Sequence, residues 1–123
     1  MTNHTLRDCR ILVIEDEFMI ADELQTELSD AEAIVLGPAG TVKDAFDLIQ
    51  SEPDIDGVIL DLNLHGESAY PVADLLVERG VPFVFTTGYD VATIPSRFSD
   101  VIRCEKPTSI KRIVQALDRA MHA

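Results

Sequence analysis

Carboxylates follow two apolar segments of the chain at points where they could take part in chemistry. Asp61 comes directly after the apolar run 58–60, and Glu15 and Asp16 come directly after the run 11–14. A run such as 58–60 is typical of a strand buried on both faces, where an ionised aspartate is costly unless it has partners. Asp61 therefore calls for a functional explanation as well as a structural one.

Hydroxyl groups and an ammonium end two further apolar segments. Thr86 and Thr87 close one of them, and Lys106 closes the other just before Pro107, so that the Lys–Pro bond is a candidate for the cis isomer. Phosphoryl oxygens carry negative charge and are held in proteins by cations and by hydroxyl or amide donors. The two segments therefore supply the groups that a phosphoryl site needs.

Carboxylates that share one site repel each other, by roughly 4 kcal/mol for two unit charges about 4 Å apart at an effective dielectric of about 20. A folded protein responds by raising a pKa or by recruiting a cation, and Mg²⁺ takes carboxylates, waters and phosphate as ligands. We therefore expect a Mg²⁺ site suited to phosphoryl chemistry. Taken singly, each residue also has an ordinary interpretation: Asp16 as a helix cap, Glu15 as a solvated strand end, Asp61 as a loop cap, Thr87 as a turn former and Lys106 as a surface lysine.

Short aliphatic runs alternate with helical periodicity along the whole chain. The pattern predicts strands at 10–15, 33–40, 57–61, 81–87 and 100–106. It predicts helices at 17–30, from a cap at Thr41 to before Pro53, at 68–79, and after Pro107 from a cap at Thr108 or Ser109. Between 88 and 100 the periodicity is poor and Pro95 interrupts it, so we expect a short or irregular fourth helix.

Five strands that alternate with about five helices predict an α/β fold, a doubly wound five-stranded parallel sheet of flavodoxin-like order 2-1-3-4-5. In such sheets the ligand crevice lies at the carboxyl ends of the strands, where the strand order reverses. That point falls between the first and third strands, which end at Glu15, Asp16 and Asp61. The topology therefore predicts that these carboxylates meet.

Composition bounds the remaining possibilities. The chain has 123 residues, the size of one domain, and a formal net charge of −12, which argues against nucleic-acid binding and suits protein or cation partners. We find no apolar stretch long enough to cross a membrane and no signal-peptide core, so we expect a cytoplasmic protein. Cys9 and Cys104 are too few for a disulfide framework, and we expect both to be small buried residues.

The order of these motifs resembles the response-regulator receiver domain of two-component signalling: Glu-Asp after the first strand, Asp after the third, Thr after the fourth and Lys-Pro after the fifth. The resemblance covers essentially the whole chain and implies that Asp61 is the phospho-acceptor. It implies that Asp16, Asp61 and the backbone carbonyl of Asn63 ligate Mg²⁺, with Glu15 acting through water. Thr87 and Lys106 would grip the phosphoryl oxygens.

The segment PFVFTTGY is similar to the PFxFATGY signature of the "FAT GUY" receivers, and this match aligns Thr87 with the switch hydroxyl of that group. Receivers usually carry Tyr or Phe three residues before the lysine, as a ring that moves with the Thr. Here that position is Arg103. Thr87, Tyr89 and Arg103 are therefore the candidate switch residues.

The resemblance implies a single receiver domain, residues 1–123, without an output domain and without turnover of an external substrate beyond phosphotransfer and slow self-dephosphorylation. Its partners would be a histidine kinase or a histidine phosphotransfer protein. A downstream protein would bind the surface of the fourth helix, fifth strand and last helix, and the chain would be a monomer or weak homodimer. Two alternatives stay open. One is a degenerate receiver that binds proteins without phosphorylation. The other is a small aspartate-nucleophile phosphohydrolase with the motif DxDx[TV], although Asn63 stands here in place of the second Asp of that motif.

Overall fold

The computed structural model describes residues 6–88 and 94–122, and its main sheet is parallel with five strands. In chain order the elements are β1 (Arg10–Ile14), α1 (Phe18–Asp30), β2 (Ile34–Ala39), α2 (Val42–Ser51), β3 (Gly57–Asp61), β4 (Asn63–Leu64), β5 (Glu67–Ser68), α3 (Tyr70–Glu78), β6 (Phe83–Thr87), a 3-10 turn (Ser96–Phe98), β7 (Arg103–Glu105) and α4 (Ile110–Met121). The strand order is β2-β1-β3-β6-β7. This confirms the predicted flavodoxin-like order.

Side-chain alternation along the central strands divides the core into two halves. Val58 and Leu60 of β3 belong to one buried cluster, with residues of α2 and α3, whereas Ile59 belongs to the other, with residues of α1 and α4. Both clusters are fully buried at the sheet, so β3 has no solvent-exposed face. Burial on both faces fixes the position of the residue that ends β3, which is Asp61.

Two of the helices begin at side-chain caps that the sequence predicts. The Thr41 hydroxyl accepts a hydrogen bond from the backbone N–H of Asp44, 3.0 Å away, at the start of α2. The Ser109 hydroxyl accepts one from the N–H of Arg112 at 3.2 Å, which selects Ser109 rather than Thr108 as the cap of α4. Each cap satisfies one of the N–H groups that the first turn of a helix leaves without an intrahelical partner.

The structure contains one pair of strands that the sequence pattern does not predict. A small antiparallel hairpin, β4–β5, follows β3; its turn contains His65 (φ 51°) and Gly66 (φ 84°), and two successive positive φ values are typical of a tight hairpin turn. The described part of the segment 88–100 contains only a 3-10 turn, in agreement with the poor helical pattern there. Cys9 and Cys104, which we expect to be buried, are only partly buried.

Among the described residues, no helix is both long enough and apolar enough to cross a membrane.

Candidate functional site

The register of the parallel strands brings the predicted carboxylates together. Ile14 lies opposite Leu60, so Glu15 follows β1 at the level where Asp61 ends β3. Single carboxylate oxygens of Glu15, Asp16 and Asp61 all lie within 4.8 Å of one another. The structure therefore places these three carboxylates at one edge of the sheet, where the strand order reverses.

Lys106 places a positive charge among these carboxylates. Its Nζ lies 3.0 Å from Oδ2 of Asp61 and 3.0 and 3.2 Å from the two carboxylate oxygens of Glu15. The backbone N–H of Lys106 donates to the carbonyl of Thr87 at 2.7 Å, which joins the end of β7 to the end of β6, and the Lys106–Pro107 bond is cis. Burial opposes the charge of the ammonium, but the negative charges of Asp61 and Glu15 prevail and raise the pKa of Lys106 above its ordinary value.

Glu15 is the most deeply buried carboxylate of the group, with 3% of its surface exposed. Burial is the main cause that raises the pKa of Glu15, and the neighbouring Asp61 adds to it, so that the pKa of Glu15 reaches about 8. One oxygen of Glu15 accepts from the N–H of Glu17 at 3.1 Å, whereas Oε1 contacts the Lys106 ammonium without the geometry of a hydrogen bond. Glu15 therefore retains a buried oxygen that can take a further donor or cation.

Asp16 is held by the hairpin that follows β3. Its Oδ2 accepts a hydrogen bond from the backbone N–H of His65 at 2.9 Å, and the His65 ring lies 3.7 Å from the same oxygen. Partial burial works to raise the pKa of Asp16, but the hydrogen bond from His65 and its other polar neighbours outweigh it and hold this pKa below its ordinary value. Asp16 therefore carries negative charge into the cleft.

Asn63 contacts both Asp61 and the loop that follows it. Its backbone N–H donates to Oδ1 of Asp61 at 3.1 Å, and its side-chain oxygen accepts from the N–H of Gly66 at 2.9 Å. Together with Asp16 and Lys106, these residues line an open cleft of about 260 Å³. The cleft gives a phosphoryl group a route to Asp61.

Two threonine hydroxyls end β6 beside Asp61. Thr86 lies opposite Asp61 in the sheet and Thr87 is the next residue. Both side chains are buried, and neither hydroxyl has a hydrogen-bond partner among the described residues. A buried hydroxyl without a partner costs stability, so these two groups are either strained features of the resting fold or donors for a group that arrives later.

The structure does not bring every predicted switch residue to the cleft. Arg103 is exposed on β7, where its guanidinium pairs with Glu105 at 2.8 Å rather than with a carboxylate of the cleft. Tyr89 lies outside the described residues. The role of both residues in switching stays a prediction.

One residue of the cleft is not predicted from the sequence. Glu17 lines the cleft, and its carboxylate lies 3.5 Å from Lys106 Nζ; the signal was its position directly after Glu15 and Asp16. Thr86, which the sequence places beside Thr87 at the end of this strand, occupies the position of the Ala in the similar PFxFATGY signature.

The donor set fits Mg²⁺. Asp16 and Asp61 offer hard carboxylate oxygens, Glu15 keeps one buried oxygen without a hydrogen bond, and Asn63 lines the same cleft. Mg²⁺ is bound in proteins by one or two carboxylates together with waters and phosphate oxygens, and an open cleft leaves room for both.

No protein-family model matches the chain, and no curated protein is significantly similar to it in sequence. Solved structures do match. SdrG from Sphingomonas melonis Fr1 is 35% identical over 100% of both chains, with a TM-score of 0.81. SdrG from Pseudomonas melonis Fr1, in its BeF3-activated conformation, is 36% identical over 95% of this chain and 96% of that one, with a TM-score of 0.72. A response regulator receiver protein from Sinorhizobium medicae WSM419 shares the fold, with a TM-score of 0.81 at 23% identity over 96% of this chain and 98% of that one.

The chain therefore belongs to the response-regulator receiver domains of two-component signalling. It is a phosphorelay signalling protein rather than a classical enzyme, and neither the degenerate receiver nor the phosphohydrolase is favoured.

Proposed function

We propose that Asp61 accepts a phosphoryl group from the phosphohistidine of a histidine kinase or a histidine phosphotransfer protein, in a reaction that needs Mg²⁺. The observation that carries this proposal is the contact of Asp61 Oδ2 with Lys106 Nζ at 3.0 Å, in a cleft that Asp16 also lines. A nucleophilic carboxylate is thus held beside a cation at an opening to solvent.

The transfer is a displacement at phosphorus. A carboxylate oxygen of Asp61 forms the new bond to phosphorus, the bond from phosphorus to the imidazole nitrogen breaks, and its electron pair stays on the imidazole. The Asn63 N–H, which donates to Asp61 Oδ1, and the Lys106 ammonium, at Oδ2, fix the orientation of the nucleophile. A bound Mg²⁺ supplies positive charge that offsets the repulsion between the carboxylates and the incoming phosphoryl oxygens.

Asp16, Asp61 and the Asn63 carbonyl are the residues proposed to hold the metal, with Glu15 acting through water. The main support is that carboxylate oxygens of all three acidic residues lie within 4.8 Å of one another. The hydrogen bond from the His65 N–H keeps Asp16 oriented toward the same cleft. This set of oxygen ligands is the kind that Mg²⁺ takes.

Phosphorylation would then act on the ends of β6 and β7. The new phosphoryl oxygens offer an acceptor to the Thr87 hydroxyl, which has no partner in the described part of the chain, and compete with the carboxylates for Lys106. A local change of charge that moves such groups is a common way to bias a two-state element. The BeF3-activated conformation of the similar SdrG supports the view that this fold has a second arrangement.

The signal would leave through a protein interface. We place that interface on β7, α4 and the segment before β7, because the end of β7 is joined directly to Thr87 and carries Lys106. We also propose a cytoplasmic location, where a kinase-type phosphohistidine donor would act, a monomer or weak homodimer as the oligomeric state, and slow self-dephosphorylation as the step that resets the site.

Acetyl phosphate with Mg²⁺, followed on a phosphate-retarding gel, tests the acceptor. We expect a shifted band for the wild type and for Asp74→Asn, a matched control on the exposed face of α3, and none for Asp61→Asn. Omission of Mg²⁺ should remove the shift from the wild type. An unshifted wild type, or a shifted Asp61→Asn variant, would contradict the proposal.

A further inference from the structure

β7 is an edge strand whose outer backbone groups are unpaired. The N–H of Phe85 donates to the carbonyl of Ile102, and the N–H of Lys106 donates to the carbonyl of Thr87, so the even-numbered residues of this segment bond toward β6. In a parallel ladder the intervening residues direct their N–H and C=O groups away from that neighbour. The backbone groups of Arg103 and Glu105 therefore point outward, and no described strand pairs with them.

A groove of about 1000 Å³ runs between this outer edge and α4. On the side of α4 it is lined by Arg112, Gln115 and Arg119, which are spaced three and four residues apart and so lie on one stripe of the helix. The side chains of Arg112, Gln115 and Arg119 are exposed. Two carboxylates also line the groove: Glu105, which pairs with Arg103, and Asp118, whose Oδ1 lies 3.3 Å from His122 Nε2. The groove thus has a row of free backbone groups on one wall and a polar helix face with two exposed arginines on the other.

The groove contains two arginines whose charges are not paired by any described residue, although the chain as a whole is acidic. Of the ten basic residues, eight place their side chains on an acceptor: Arg7, Arg10, Lys43, Arg79, Arg97, Arg103, Lys106 and Lys111. The remaining two, Arg112 and Arg119, have no side-chain acceptor among the described residues, and both line the groove. In a chain with 22 acidic residues, two unpaired guanidinium groups in one groove favour an anionic occupant.

We infer that the groove between β7 and α4 binds an extended acidic segment of a partner protein, which adds as a strand to the outer edge of β7 while its carboxylates pair with Arg112 and Arg119. Strand addition uses the free N–H and C=O groups of Arg103 and Glu105, which a helical ligand would leave unpaired. Guanidinium groups bind carboxylates through two parallel hydrogen bonds, so the two arginines add specificity for acidic side chains.

The charge of the chain argues against the other occupants of such a groove. A second copy of this chain carries a net charge of −12, so electrostatic repulsion disfavours the pairing of two copies relative to the binding of a short acidic segment. A nucleic acid would meet the same repulsion at every phosphate beyond the groove. An acidic segment with few charges in total avoids most of this repulsion and still satisfies both arginines. This inference specifies the partner of the proposed output interface. It rests on the proposed function only for the statement that the contact transmits a signal.

The probe is a short peptide of alternating glutamate and valine with blocked ends, and the control probe is its lysine–valine counterpart. In two-dimensional amide NMR of the full chain, we expect saturable shifts centred on Arg103, Glu105, Arg112 and Arg119, and slower amide hydrogen exchange at Arg103 and Glu105. The lysine–valine peptide should cause none of these. Absence of saturable shifts at millimolar peptide, or shifts centred elsewhere, would overturn the inference.

Charge-reversal variants separate the groove from the charge of the whole molecule. Arg112→Glu/Arg119→Glu should weaken binding of the acidic peptide by at least about tenfold, which is roughly 1.4 kcal/mol. The matched control, Arg7→Glu/Lys43→Glu, makes the same change in net charge at exposed residues outside the groove and should leave the affinity within about twofold of the wild type. Equal losses in the two double variants would overturn the inference.

Two further measurements keep this inference distinct from the phosphoryl-acceptor proposal. Arg112→Glu/Arg119→Glu should still accept the phosphoryl group from acetyl phosphate, because neither arginine lines the cleft of Asp61. Peptide binding by a wild type that fails to phosphorylate would support the groove while contradicting the acceptor. Sedimentation of the free chain should show no dimer that competes with the peptide; such a dimer would mean that a second copy is the occupant and would overturn the inference.

Discussion

The ammonium of Lys106 balances the charges of the cleft at the scale of a single residue. Among the described residues that line the cleft, Lys106 is the only basic one, and it contacts Asp61, Glu15 and Glu17. Its side chain is 16% exposed, whereas those of Asp61 and Glu15 are 5% and 1% exposed. Removing one partner of a buried ion pair leaves the other charge uncompensated, which costs more than the pair itself contributes.

Lys106→Met should therefore lower the free energy of unfolding by about 3 kcal/mol in urea denaturation with EDTA present. Asp61→Asn in the Lys106→Met background should recover part of the loss, because it removes one of the uncompensated carboxylates. Lys43→Met is the matched control, since Lys43 makes an exposed ion pair with Asp47 one helical turn away. Equal stability of the two single variants would show that the ammonium does not balance the cleft.

Thr86 gives a second test at the residue scale, because its hydroxyl is fully buried and has no hydrogen-bond partner within residues 6–88 and 94–122. Thr86→Val removes the orphaned polar group and keeps the shape, so it should raise the free energy of unfolding by about 1 kcal/mol. Thr86→Ser keeps the hydroxyl and removes a methyl group, and it should lower the free energy of unfolding by about 1 kcal/mol. Chemical denaturation measures the free energy of unfolding of both variants. A loss of stability in Thr86→Val would mean that the hydroxyl makes a hydrogen bond in solution.

Sequence reasoning located most of the cleft because strand ends are predictable. The residues that end β1, β3 and β6 follow long apolar runs, and the sheet order then fixes which of them meet. Contacts made by loop backbone are harder to predict from the sequence. The N–H of His65 reaches Asp16 only because the hairpin β4–β5 forms, and strands of two residues are too short to show a periodic pattern. Glu17 was missed for a similar reason, since its place in the cleft depends on how α1 begins.

At the scale of elements, a bulge between β1 and β2 sets the position of Glu15 along the strand direction. Leu12 lies opposite Leu36 and Ile14 opposite Ala39, so β2 has one residue more than β1 between these pairs. Gly37, one of the two β2 residues between these pairs, has φ 88°, and a Cβ there would lie 2.9 Å from the carbonyl oxygen of Val13. Because the N–H of Glu15 donates to the Ala39 carbonyl, the bulge fixes the position of Glu15 along the edge of the sheet.

Gly37→Ala should lower the free energy of unfolding by about 3 kcal/mol, because it combines a left-handed backbone with a clash against backbone atoms. Gly80→Ala is the matched control: Gly80 has φ 69°, but nothing lies within 4 Å of its Cβ position, so it reports the cost of the backbone conformation alone. Thermal and urea denaturation of both variants measure the difference. Equal losses would mean that β2 shifts freely and that the bulge does not constrain Glu15.

The elements were predicted well where periodicity and caps agree, and poorly where they do not. α2 and α4 begin at capping hydroxyls that the sequence shows, and the parallel strands follow from their apolar runs. The bulge at Gly37 was not predicted, because a Gly–Pro pair marks the end of a strand as readily as an irregularity within one. β7 is shorter than expected, since an edge strand pairs on one side only and its ends are not fixed by a second neighbour.

At the scale of the whole molecule, the net charge of −12 and the carboxylate cluster respond differently to cations. Self-repulsion of an acidic chain falls with ionic strength, whichever cation is added. A site with oxygen ligands instead prefers a small divalent ion, and an ion that binds only the folded state stabilises it by mass action. Stability measured at matched ionic strength therefore separates a specific Mg²⁺ site from general screening of charge.

Addition of MgCl₂ should raise the free energy of unfolding of the wild type by about 2.7 kcal/mol at a concentration of about 100 times the dissociation constant. KCl at equal ionic strength should give only a small rise. Asp16→Asn should lose the Mg²⁺-specific part, because it removes a carboxylate of the cluster, whereas Asp22→Asn, an exposed residue of α1 with the same change in charge, should keep it. If MgCl₂ and KCl stabilise the wild type equally, or if Asp16→Asn and Asp22→Asn respond alike, the carboxylates are held by Lys106 alone and the cluster is no metal site.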